Sequence, residues 1–174
     1  HPWIASATAH RILPDTLIVE IREHEATAIG MFGEPYLVGA DGHPFKRAQL
    51  ADGDGDGLPV VTGLDRDAYQ RDPHRTAATI GAALAALARW RATASRPAIG
   101  EVHIGSHGAL TLRTYDHGAA IELGQLAAHE SDLAGRMRTF DAAWAELTDL
   151  ERSRARAFYL DARADRVTIA FAKD

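Results

Sequence analysis

The sequence predicts an α+β domain: a mostly antiparallel sheet with two main helices packed against it, preceded by part of another module. Three observations predict it. Apolar residues recur at helical spacing over about 73 to 93 and 129 to 148. Between these stretches the period falls to two, over "EVHIGSHGALTLRTYDHGAAIELG". Asp41-Gly42 also stands between two apolar-rich runs, a strong short-range hairpin signal.

From the start, Pro2 suits a first helical turn, and Trp3, Ile4 and Ala7 would share one face of a short helix. Leu17, Val19 and Ile21 then alternate with Ile18, Glu20 and Arg22 behind the turn dipeptide Pro14-Asp15, which predicts a half-buried strand. Gly30 and Gly33 loosen the chain and suggest a module boundary near 32 to 35. "PYLVGADGHPF" reads as a hairpin, and "LPVVTGL" at 58 to 64 as a short strand. Asp72-Pro73 supplies an N-cap and a first-turn proline, with Ile80, Leu84, Leu87 and Arg91 at helical spacing until Ser95-Arg96-Pro97.

Strands follow at about 101 to 105, 109 to 115 and 119 to 123, joined by Ser106-His107-Gly108 and Asp116-His117-Gly118. A second amphipathic helix aligns Leu133, Met137, Phe140, Trp144 and Leu147. After a basic connection, one or two final strands close the sequence. Ala164-Asp165 offers the turn, and Val167, Ile169 and Phe171 point inward by alternation.

Composition excludes several classes. With 46% hydrophobic and 25% charged residues the chain can bury a core, so it is globular. The net charge of -5, with scattered Lys and Arg, argues against a nucleic-acid partner. The absence of cysteine removes disulfides and thiolate metal sites together. No apolar run approaches the roughly 20 residues of a spanning helix. The chain opens without Met or a signal-peptide pattern, and so reads as an excised piece of a longer protein.

Candidate chemistry is sparse. Asp52, Asp54, Asp56 and Gly57 fit the first positions of a calcium loop, but Val60 and Gly63 stand where its ninth and twelfth ligands belong. A solvated connector is the better reading, and a calcium-dependent binding module the alternative. His103 and His107 fall on a strand and its turn, without the helical face of a zinc pair. His107 and His117 mark opposite ends of one strand, roughly 20 Å apart at the usual rise, so they share no metal. The same geometry separates Asp116 from Ser106 and His107, and no nucleophile elbow, P-loop or dinucleotide fingerprint is present. No catalytic, cofactor or metal residue is assigned. The C-terminal stretch Arg166, Val167, Thr168, Ile169, Ala170, Phe171 and Ala172 remains. As the last strand it forms a sheet edge able to accept another chain's strand, unless Arg166 and Lys173 blunt it.

Several motifs, in order, resemble the extracytoplasmic part of the FtsQ/DivIB cell-division family. His1-Pro2-Trp3, Arg11, Pro14 with Leu17, and Glu23 to Ala28 are similar to the end of its POTRA domain. Tyr36-Leu37-Val38 with Gly42 and Phe45, Leu58-Pro59 with Gly63, Leu123-Gly124, and Leu160-Asp161 with Arg163 resemble its beta domain. Ala26 departs from a usual proline and Ala164 from a common aromatic.

The resemblance implies two parts, residues 1-32 ending a POTRA domain and residues 33-174 forming the beta domain. It implies a non-enzymatic divisome scaffold without cofactor, anchored in the inner membrane by one absent helix, this part lying on the periplasmic side. It also implies FtsB and FtsL partners and a role in septal peptidoglycan synthesis. FtsB would add a strand at 166 to 172, with Phe171 as anchor.

Overall fold

The computed structural model describes residues 1–125, 130–160 and 166–172. The first surprise is at the N-terminus, where a strand replaces the expected helical turn. β1 (Ile4–Ile12) pairs antiparallel with β2 (Thr16–Glu23), from Ile12 opposite Thr16 back to Ile4 opposite Glu23. Helical character stops at one turn, closed by the Ile4 N–H donating to the His1 carbonyl at 3.0 Å. Three apolar residues at helical spacing cannot outweigh a ladder of this length, whose cross-strand pairs each contribute about 0.2–1 kcal/mol. The hairpin turns around Pro14-Asp15 as expected, but β2 is exposed throughout instead of half-buried.

The other strands form one nine-stranded sheet. β3 (Ala28–Met31), β4 (Pro35–Val38) and β5 (Pro44–Arg47) make an antiparallel meander at one end. Asp41-Gly42 turns between β4 and β5, and Gly42 is there for space as well as conformation. Its φ is 81°, and a Cβ would collide with the Ala77 carbonyl of a helix pressed onto the turn. β6 (Val60–Thr62) follows the acidic loop and pairs parallel with β3.

The chain then crosses the sheet through α1 (Arg66–Arg71) and α2 (Pro73–Arg91). The Asp72 carboxylate accepts from the Arg75 N–H, the cap expected for α2, while Asp65 caps the unexpected α1 through the Ala68 N–H. β7 (Ile99–Ile104) returns parallel to β6. β8 (Ala109–Thr114) and β9 (Ala120–Gln125) complete the predicted meander.

A second crossover runs through α3 (Glu130–Glu146) and α4 (Asp149–Arg154) to β10 (Ala155–Tyr159), which pairs parallel with β9. The basic connection before the final strands is helical, and it starts with a reciprocal cap between Thr148 and Glu151. β11 (Thr168–Phe171) lies antiparallel outside β10. The expected Ala164-Asp165 turn falls outside the described residues. Spatial order is β11-β10-β9-β8-β7-β6-β3-β4-β5, with antiparallel neighbours outnumbering the three parallel pairs.

Helices cover one face of this sheet. Ile80, Leu84, Leu87 and Trp90 of α2 and Met137 and Phe140 of α3 enter a core with Val61, Val102, Leu112, Ile121 and Phe158. Fully burying one such side chain is worth about 1.5–3 kcal/mol, which is why the 3.6-residue spacing was so legible. Arg96 fastens the helices together. Its guanidinium grips Asp141 of α3 at 2.7 and 2.8 Å and donates to the Arg89 and Trp90 carbonyls at the end of α2.

Candidate functional site

The two outer strands of the sheet, β11 and β5, decide what it can bind. In β11 the Ala172 N–H, one residue past the strand, still donates to the Arg154 carbonyl at 2.9 Å. Backbone groups alternate sides along a strand, so the N–H groups of Thr168 and Ala170 also face β10. Those of Ile169 and Phe171 face outward. Thr168 to Phe171 contains neither proline nor charge.

Side chains follow the expected alternation only partly. Val167 and Ile169 pack against the core, but Phe171 is 43% exposed. Phe171 stands opposite Ala155, where the register slips between Ala155 and Ala157, and such bulges bend and twist the ladder. The inward assignment of Phe171 is therefore corrected to an exposed ring at the edge. Arg166 is exposed ahead of the strand, Thr168 is exposed, and Ala170 and Ala172 are half-buried. Sequence reading missed Tyr159, which is 40% exposed and opposite Thr168. Its signal was the alternation next to buried Phe158. An exposed aromatic residue thus stands on the edge strand itself, Phe171, and another on the strand beside it, Tyr159.

β5 is built differently. It begins with Pro44 and carries Lys46 and Arg47, and Arg47 pairs with Glu34 at 2.7 Å. Phe45 is covered by His24, stacked at 4.6 Å and 9°, and by Trp3 at 5.6 Å. Lys46 sits 4.8 Å over the Trp3 ring and reaches Asp54 at 2.6 Å.

That contact assigns work to the acidic loop. Asp54 also accepts from the Gln49 N–H at 2.9 Å, so its carboxylate ties the loop to β5. The Lys46 hydrogen bond, followed by the Gln49 N–H, holds the Asp54 carboxyl below its ordinary value of 3.8. Asp52 and Asp56 do not join it, and among the described residues no three acidic or histidine side chains gather to hold a metal ion.

His43 and His74 meet edge to face at 5.9 Å, a pair that the sequence did not single out. His107 and His117 sit beyond opposite ends of β8. His103 joins a polar cluster that the sequence did not reveal. The Thr62 hydroxyl donates to Glu101 at 2.6 Å and lies 2.8 Å from His103 Nδ1. The one hydroxyl proton serves a single acceptor at a time, so the imidazole tautomer sets whether His103 Nδ1 accepts from Thr62 or donates to it.

Together these features define a class: a helix-backed α+β sheet domain with one guarded edge and, among the described residues, one edge that no further strand covers. Comparison with known proteins makes the class specific. The family model "Cell division protein FtsQ/DivIB, C-terminal" matches residues 28–163. The chain is 38% identical over 165 residues to cell division protein FtsQ of Anaeromyxobacter sp. (strain K), covering 94% of this chain and 53% of that protein. It is 41% identical over 85 residues to FtsQ of Myxococcus fulvus, covering 49% of this chain and 29% of that one. With FtsQ of Syntrophotalea carbinolica identity is 33% over 126 residues, covering 71% and 44%. The chain belongs to the FtsQ/DivIB cell-division family, and it spans about half the length of the first of these relatives.

The family motifs now have physical reasons. Leu37 and Val38 are buried in β4, and Gly42 clears α2. Gly63, at φ 77°, leaves room for the Ile104 carbonyl. Leu160 is buried, and its N–H donates to Glu122 at 3.1 Å. Asp161 and Arg163 lie outside the described residues. Among the described residues no helix is long and apolar enough to cross a membrane.

Proposed function

We propose that this chain is the partner-binding part of a non-enzymatic divisome scaffold. It takes a strand from an FtsB-type protein along β11, acts with FtsL-type partners, and so helps control septal peptidoglycan synthesis. Residues 1-32 would end a POTRA domain and 33-174 form the beta domain, with β3 carrying the first part into the sheet of the second. The whole protein would be held in the inner membrane by one helix, with this part in the periplasm.

The observation that carries the reading is the outer side of β11. Outward N–H groups at Ile169 and Phe171 offer a ladder, and the exposed Phe171 ring offers an anchor. Thr168→Pro would be a poor probe of that ladder, because the Thr168 N–H faces β10. Phe171→Pro removes an outward donor instead. In titration calorimetry with a soluble FtsB C-terminal segment, Phe171→Ala should weaken binding about tenfold or more, and Phe171→Pro further still. Undiminished affinity in both variants sinks strand addition at this edge.

A further inference from the structure

At the other end of the sheet, away from β11, Phe32, Tyr36, Pro44, Arg66, Tyr69 and Gln70 line a cavity of about 240 Å³. Phe32 is buried at its base. Tyr36 meets it edge-on at 6.0 Å and 84°, and Tyr69 leans on it at 5.3 Å and 60°. The walls are thus two phenol rings and the Pro44 ring.

The rim is polar in a particular way. Among the described residues, the Arg66 guanidinium, the Gln70 amide and the two tyrosine hydroxyls make no hydrogen bond or ion pair with the protein. Each can donate to a ligand. Asp65 and Asp67 flank Arg66 in sequence and neither lines the cavity; Asp65 accepts from the Ala68 N–H.

Size narrows the ligand. Clefts for drug-sized molecules run roughly 300–1,000 Å³, so this cavity fits one anchoring side chain of a peptide. Aromatic walls with hydrogen-bond donors above them suit proline in an extended polyproline segment, whose backbone carbonyls are unpaired and whose ordering cost is low. Exposed Arg66 adds positive charge at the mouth, which favours a carboxylate beside that proline. We propose that this cavity binds a proline of an acidic, proline-containing segment of a partner protein. The contact is separate from strand addition, since β5 beside it is a guarded edge.

The test is an NMR titration of the 174-residue chain with a synthetic peptide of alternating proline and glutamate, reading the Tyr36 and Tyr69 ring signals and the Gln70 side-chain amide. Control peptides replace every proline by alanine, or every glutamate by lysine. Saturable shifts with the parent peptide alone are expected. Arg66→Glu, an exposed change that spares the core, should lower its affinity about tenfold and favour the lysine peptide. No saturable shift at millimolar peptide overturns the proposal. So does equal binding of the alanine peptide, or an Arg66→Glu variant that binds the parent peptide as well as before.

Discussion

The two ends of the nine-stranded sheet are finished in opposite ways. At β5 a proline, two basic residues, an ion pair to Glu34 and the packed Trp3 and His24 rings occupy the edge. At β11 the strand is four residues of Thr, Ile, Ala and Phe, with Phe171 and Tyr159 exposed. Proteins blunt edges because free ladders recruit other chains, and this one does so at β5. That contrast between the two ends is what the proposed strand addition at β11 rests on.

The most damaging way to test the contrast is to remove what supports the open end. Phe140 of α3 is buried among Trp90, Trp144 and Phe158, with ring centroids 4.7 to 5.5 Å apart. Phe140→Ala should cost about 3–5 kcal/mol in urea unfolding. Hydrogen exchange should quicken more at β10 and β11 than at β3 to β5; equal quickening would mean that the two ends stand on one support.

A milder experiment gives β11 the defence that β5 already has. Thr168→Lys places an ammonium on an exposed position and should alter stability by no more than about 0.5 kcal/mol. Affinity for an FtsB-type strand should fall several-fold in the same calorimetric assay. An unaffected affinity would show that charge at β5 is incidental to its guarding.

The smallest effect concerns the latch at β5. Because the Asp54 carboxyl is held below 3.8 in the fold, its contribution to stability is complete above that pH and is lost as pH falls through the lowered value. Melting curves of the native chain should therefore gain an acid-labile component below pH 3.8. Asp54→Asn should lack it and be somewhat less stable at neutral pH. Glu151, held below 4.5 by the Thr148 N–H and then its hydroxyl, supplies an acid loss common to both proteins. Identical pH profiles would leave Asp54 without a part in holding β5.

What the sequence disclosed was local. The Asp72 cap, the Ile80, Leu84 and Leu87 face, the Asp41-Gly42 turn and the β7 to β9 meander are each specified within a few residues, although Arg91, read onto that face, is exposed and Trp90 is buried in its place. The parallel pairs were hidden because their partners lie on either side of a helical crossover or hairpin. Thr148 and Glu151 did carry a readable capping box, whereas β1 borrowed its conformation from β2. At the candidate site, alternation located the strand. It could not foresee the slip at Ala155 that exposes Phe171, nor that Asp54 would meet Lys46. Those outcomes depend on register and on loop contacts, which no residue pattern encodes alone.

From β6 to β11, neighbour order in space follows order along the chain. During synthesis each of these strands can therefore be laid against one already made, like rungs added to a ladder from one side. The edge at β11 is formed by the last of these strands, after its neighbours in the sheet have been made. A strand from another protein would be the next rung in the same series, and assembly would continue the geometry that folding began.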